Sequence, residues 1–154
     1  MMLTRLMRSA LLLITLVPCL NHAEAGDSSS AQHQAQLVMD EFMNAFNARD
    51  KVRWAETLLF PHVRIASSGV TVTPTREEFV ADMDFEAFAA RFNWQHSRWD
   101  SIEAVHVGPD KVHFKVVFTR VNQQNEAYAT FDSLYILQRV DGRWGIRARS
   151  SFAP

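Results

Sequence analysis

Acid–base catalysis asks for an imidazole or a carboxylate whose pKa a partly dry site can move. Residues 96–103, His-Ser-Arg-Trp-Asp-Ser-Ile-Glu, hold three such groups: His96, Asp100 and Glu103. As a strand, this segment sends Trp99, Ser101 and Glu103 inward, or, after a single bulge, Arg98, Asp100 and Ile102. Glu103 and Asp100 are therefore alternatives for one inward carboxylate. Beside Trp99 and Arg120, desolvation would raise its pKa and the guanidinium would lower it. Other chemistries have less to work with. His22 and His33 lie in the leading segment, while His62, His96, His106 and His113 offer no i, i+4 pair on a helix and no cysteine partner, so no metal site is expected. His106 and His113 face each other across a hairpin on its outer side. His62 alternates against inward Val63 and Ile65, which makes it structural or solvent-facing. A serine nucleophile has no elbow motif to present it.

The chain that must position these groups has 154 residues, 16 basic against 17 acidic side chains, and 47% hydrophobic content. That is enough for one core and too apolar for disorder. Near-neutrality leaves no electrostatic footprint for nucleic acid. Arg5 and Arg8, the apolar run from Ala10 to Val17 and the Ala23-Glu24-Ala25 site read as a signal peptide over 1–25, with export to the periplasm or beyond. The apolar run is far below the ~20 residues of a membrane span, so no stable span is expected. Cleavage removes Cys19, the single cysteine, and with it any thiol chemistry. All 11 Phe, 4 Trp and 2 Tyr lie beyond it.

After a polar spacer over 26–32, Leu37, Val38, Phe42, Ala45 and Phe46 recur at helical spacing. Asp50 is an N-cap for a short second helix carrying Val52, Trp54, Leu58 and Leu59, ended by Pro61. Runs 62–67 and 70–73 around Ser68-Gly69 make a hairpin. Thr75-Arg76-Glu77-Glu78 is a capping box for a third helix through Phe79, Val80 and Met83 toward Phe88. Strands follow at 96–107, 111–121, 126–140 and 143–152, joined by Gly108-Pro109-Asp110, Asn122 to Asn125 and Asp141-Gly142. This is an α+β plan with helices on one face of a curved antiparallel sheet.

A two-residue Asp141-Gly142 turn pairs Arg139 with Trp144, Leu137 with Ile146, Tyr135 with Ala148 and Phe131 with Phe152. A four-residue loop at 122–125 pairs Phe118 with Ala129 and Val116 with Phe131. Phe114, Val116, Phe118, Phe131, Tyr135, Leu137, Trp144 and Ile146 then share the helix-covered face. Lys115, Asp132 and Arg149 sit side by side on the other, as an ordinary cross-strand charge ladder.

Phe42-Met-Asn-Ala-Phe-Asn-Ala-Arg-Asp50, Pro61-His-Val-Arg-Ile-Ala-Ser-Ser-Gly69 and Asp141-Gly-Arg-Trp-Gly-Ile146 carry a resemblance. Over 33–152 the chain resembles the nuclear transport factor 2-like superfamily, the cone-shaped fold of ketosteroid isomerases, scytalone dehydratase and SnoaL-like cyclases. His96-Ser-Arg-Trp-Asp100, Asp110-Lys-Val-His113 and the run Gly142 to Phe152 look similar to a bacterial branch of it. The resemblance implies a cavity between helices and sheet, here lined by Trp54, His96, Trp99, Phe118, Arg120 and Tyr135, for a small apolar molecule without a cofactor. It also implies a homodimer through the exposed sheet face, where Val117, Thr119, Tyr128, Leu134 and Ile136 are expected. His96 falls at the cavity mouth, so a lyase or isomerase would use it with Glu103 or Asp100. The isomerase constellation is missing, because its base position falls near Ala66 or Ser67 and the early helices carry no Tyr. A dehydratase-like set reduces to His96 and Tyr135. A dimerisation module with its cavity filled by Phe88, Phe92 and Trp94 is the remaining alternative.

Overall fold

The computed structural model describes residues 22–154, so the expected signal segment lies mostly outside them. Four helices, α1 (His22–Asn47), α2 (Lys51–Glu56), α3 (Arg76–Asp82) and α4 (Phe85–Phe92), pack on one face of a curled sheet. Its strands are β1 (Leu58–Ala66), β2 (Gly69–Thr73), β3 (His96–Val107), β4 (Lys111–Val121), β5 (Ala127–Val140) and β6 (Arg143–Ser151), in the order β2-β1-β6-β5-β4-β3. The pairing is antiparallel except at β1 and β6, which run parallel.

The α1 helix starts well before its expected first turn, and the segment read as a polar spacer is part of it. Its buried stripe is Ala31, Ala35, Met39, Phe42 and Ala45, while Leu37 is 54% exposed. Small residues at three- and four-residue steps let the helix lie close to the sheet, and Leu37 falls outside that stripe. The α2 helix stops at Glu56 instead of running to Pro61, because Leu58 and Leu59 are drawn into β1. There Arg143 donates from Nη1 to the Glu56 carbonyl and from Nη2 to the Leu58 carbonyl, clamping the strand's start to β6. The expected third helix is two, since Asp84 Oδ1 accepts from the Glu86 and Ala87 amides and starts a new helix.

The β-turns hold the expected parity with local shifts. The β4–β5 register is offset by two residues, pairing Phe118 with Phe131, so the inward set is unchanged. Four single-residue bulges bend the sheet: at Asp100 and Val105 in β3, Tyr128 in β5 and Arg147 in β6. The last one corrects the expected register, because beyond it Tyr135 faces Arg149 instead of Ala148. Arg149 therefore turns to the helix side, away from Lys115 and Asp132. Phe152, expected opposite Phe131, swings out and is 74% exposed. In β1 the inward residues are His62 and Arg64, with Ile65 outward, the reverse of the expected alternation. The β1–β2 register puts Val63 with Val72 and Ile65 with Val70 on the outer side, leaving His62, Thr73, Arg64 and Thr71 together on the other.

Candidate functional site

Between helices and sheet lies a cavity of about 460 Å³. Its floor is an aromatic nest built from α1 and α2. Phe42 packs against Trp54 at 5.3 Å and edge-on to Tyr135 at 5.6 Å, while Trp99 meets Tyr135 edge-on at 5.7 Å. Rings at these separations and tilts are held by quadrupole geometry as well as by buried area. Trp99 is fixed from two sides. Its Nε1 donates to the Met39 carbonyl, and the adjoining Ser97 exchanges two 2.8 Å bonds with the Asn47 amide side chain. Trp94, fully buried, donates from Nε1 to Ser97 Oγ at 2.9 Å and closes the inner end. Phe46, Phe85 and Phe88 pack on Trp94, so that end of the core is solid while the cavity beside it stays open.

Of the residues assigned to the cavity from the sequence, Trp54, Trp99, Phe118, Arg120 and Tyr135 line it. His96 is not among its lining residues. Strand alternation sets it opposite Ser97 and Trp99, on the outer side. The two carboxylate candidates also lie outside. Asp100 occupies the bulge, accepting from Thr119 Oγ1 and from Arg98 Nε. Glu103 is exposed and pairs in register with Lys115, while Ile102 and Ala104 take the inward positions. A single bulge was expected to choose between the two carboxylates. Placed at Asp100 itself, it keeps Trp99 inward and turns both acids out. Among the described residues, no three His, Cys, Asp or Glu side chains gather as metal ligands.

The sequence reading missed His62, Arg64 and Arg149. His62 is 2% exposed, and its Nδ1 donates to the Ile146 carbonyl at 3.1 Å, leaving the Nε2 lone pair buried without a partner. Burial first, then the charge on Arg149, push its pKa down to about 3, against the upward pull of the Ile146 bond. Arg120 is 6% exposed and sits 4.9 Å over the Phe92 ring and 5.1 Å over Phe131. Arg149 lies 5.4 Å over Phe42 and 5.6 Å over Trp54, with its Nε buried and unpartnered. Arg64 donates from Nη2 to the Pro154 carbonyl at 2.7 Å. Burial, then the charges of Arg149 and Arg120, lower the Arg64 pKa, and burial likewise lowers that of Arg120. One signal did point to this face: on β1 and β2 the polar residues pair with polar and the apolar with apolar, so a polar face existed to line a cavity.

A helix layer over one face of a curled six-stranded sheet defines the NTF2-like, cystatin-like fold class. A family model described as NTF2-like protein (DUF6841) matches residues 31–152, and the chain belongs to that family. No curated protein matches the sequence. Among solved structures, an NTF2-like protein of unknown function from Pseudomonas putida KT2440 superposes with TM-score 0.67 at 13% identity, over 82% of this chain and 89% of that one. A protein of unknown function with a cystatin-like fold from Nostoc punctiforme gives 0.65 at 12% identity, over 80% and 90%. A Catenulispora acidiphila protein in complex with S-DNPA gives 0.64 at 14% identity, over 80% and 93%. Identities this low speak to the fold alone.

Proposed function

We propose that this chain is an exported small-molecule-binding protein, and the cavity of about 460 Å³ beneath the helices is the observation that carries the proposal. Its size is that of a ligand pocket, and an apolar wall with a few placed polar groups is the usual make-up of one. A structurally similar protein that forms a complex with S-DNPA is in line with this. The basic start, short apolar run and Ala-x-Ala site support export. The outer sheet face, where Leu134 is exposed, supports a homodimer, although Thr119, expected exposed there, is buried and Tyr128 turns its hydroxyl to Arg120.

The enzyme reading, a lyase or isomerase, has less support. His96, Asp100 and Glu103 lie off the cavity, and His62, with a pKa near 3, is too weak a base to work near neutrality. A module with a filled interior fits the inner end around Trp94 but not the open space beside Trp99. Native mass spectrometry of the protein purified from the producing cell tests the binding reading. A bound small molecule that leaves on denaturation is the expected result; an empty protein with no response to any ligand screen overturns it. N-terminal sequencing of the same sample should begin at or near Gly26, and a chain retaining Met1 overturns export.

A further inference from the structure

Resting on that binding reading, we propose that the ligand is an organic acid, with an aromatic or alicyclic body on the Phe42, Trp54 and Trp99 wall and a single anionic head held between Arg120 and Arg149.

A guanidinium withdrawn from water is normally met by a carboxylate, since an uncompensated buried charge is strongly unfavourable. Neither Arg120 nor Arg149 takes part in any ion pair among the described residues, whose ion pairs involve Arg53, Arg76, Arg98 and Arg139. Aromatic faces substitute in part. Each guanidinium lies over rings that attract its charge while leaving its N–H edge free for a planar, two-oxygen acceptor. The buried Arg149 Nε is one such unused donor. The Tyr128 hydroxyl beside Arg120 is a neutral acceptor and leaves its charge in place.

The surrounding acids sharpen the case. Asp100, Glu103 and Asp132 are exposed residues outside the cavity lining, and Asp82 is the acidic side chain that lines it among the described residues, at the exposed rim. Four cations line the cavity, Arg64, Arg91, Arg120 and Arg149; Arg91 is exposed at the end of α4 and Arg64 donates to the Pro154 carbonyl, so Arg120 and Arg149 are the inner pair. Burial is the main cause that lowers the Arg120 pKa, and the charge of Arg149 adds to it, a repulsion that an anion between them would relieve.

The test uses two fluorescent probes with the same ring system: 1-anilinonaphthalene-8-sulfonate, which is anionic, and N-phenyl-1-naphthylamine, which lacks the sulfonate. On the native protein the sulfonate should bind at one site per chain, about tenfold or more tighter than the neutral amine, as a charge-assisted head group predicts. In Arg120→Met, Arg149→Met and the double variant, the affinity ratio should fall toward unity. Arg149→Lys should retain part of it, because the charge survives and the planar fork does not. If a Met variant fails to fold, competition on the native protein gives the same readout: benzoate should displace the sulfonate probe and benzamide should not. Equal affinity for the two probes, or a ratio that survives both Met substitutions, overturns the anionic head while leaving the pocket standing. Binding of neither probe overturns the pocket reading, and this inference with it.

Discussion

The β3 and β6 strands each carry a bulge beside the cavity, and the two bulges act on opposite charges. In β3 the extra residue at Asp100 interrupts alternation after Trp99 and turns Glu103 to the outer face. In β6 the extra residue at Arg147 interrupts alternation after Ile146 and turns Arg149 inward. Without either bulge Glu103 would face inward and Arg149 outward, which would weaken the positive character that Arg64, Arg91 and Arg120 still give the cavity. Shifting a strand by one residue exchanges its whole side-chain set between faces, so two local irregularities tune how positive this site is.

Four measurements break or sharpen that contrast. The largest effect belongs to the inner end on which β3 leans. Trp94→Ala removes a fully buried indole and its bond to Ser97, and should cost roughly 3–5 kcal/mol in urea denaturation; a loss below 1 kcal/mol would mean that the inner end does not anchor β3. Next comes acid. His62 has a folded pKa near 3 against the ordinary 6.5, so the unfolded chain binds the extra proton between those values. Stability should therefore be complete above about pH 6.5 and fall with decreasing pH, by at most about 1.4 kcal/mol per unit. Denaturation curves of His62→Gln should lack this slope, and an NMR titration should leave His62 neutral down to about pH 4; a midpoint near 6 would place the imidazole in water.

Arg149→Met is the direct probe of the β6 bulge. Removing an inward charge with an orphaned Nε should leave stability unchanged or raise it by about 1 kcal/mol. A loss of several kcal/mol would show that the guanidinium has a protein partner. The smallest effect is expected across the sheet, where Asp132→Asn at an exposed site should change stability by less than about 1 kcal/mol. A larger cost would return Asp132 to the list of functional candidates.

The sequence was readable where chemistry is local. Asp50, Thr75 and Asp141-Gly142 announce their cap and turn geometries through side chains that can make few others. The long strands were readable through parity, which survived even a two-residue slip between β4 and β5. Bulges were not, because an added residue leaves no compositional trace and its position depends on neighbouring strands. That is why Arg149 and Phe152 came out on the wrong faces. His62 was missed for a different reason: the rule that apolar residues face inward fails where the inner face lines a polar cavity, and β1 keeps Ile65 for the outside. Asp84 was missed as a cap, because the apolar spacing from Phe79 to Phe88 runs through it and favoured one continuous helix.

The sheet ends in β2 on one side and β3 on the other, and both are poor templates for a further strand. The β2 edge is five residues long and is followed directly by Pro74, whose backbone has no N–H to offer. The β3 edge is long, but its two bulges disrupt the even spacing of donors and acceptors that an incoming chain must match. Ladder growth is thus blocked at both rims without a covering element. A concentrated solution of this protein should resist fibril formation, although Val70 and Val72 leave apolar side chains beside one rim.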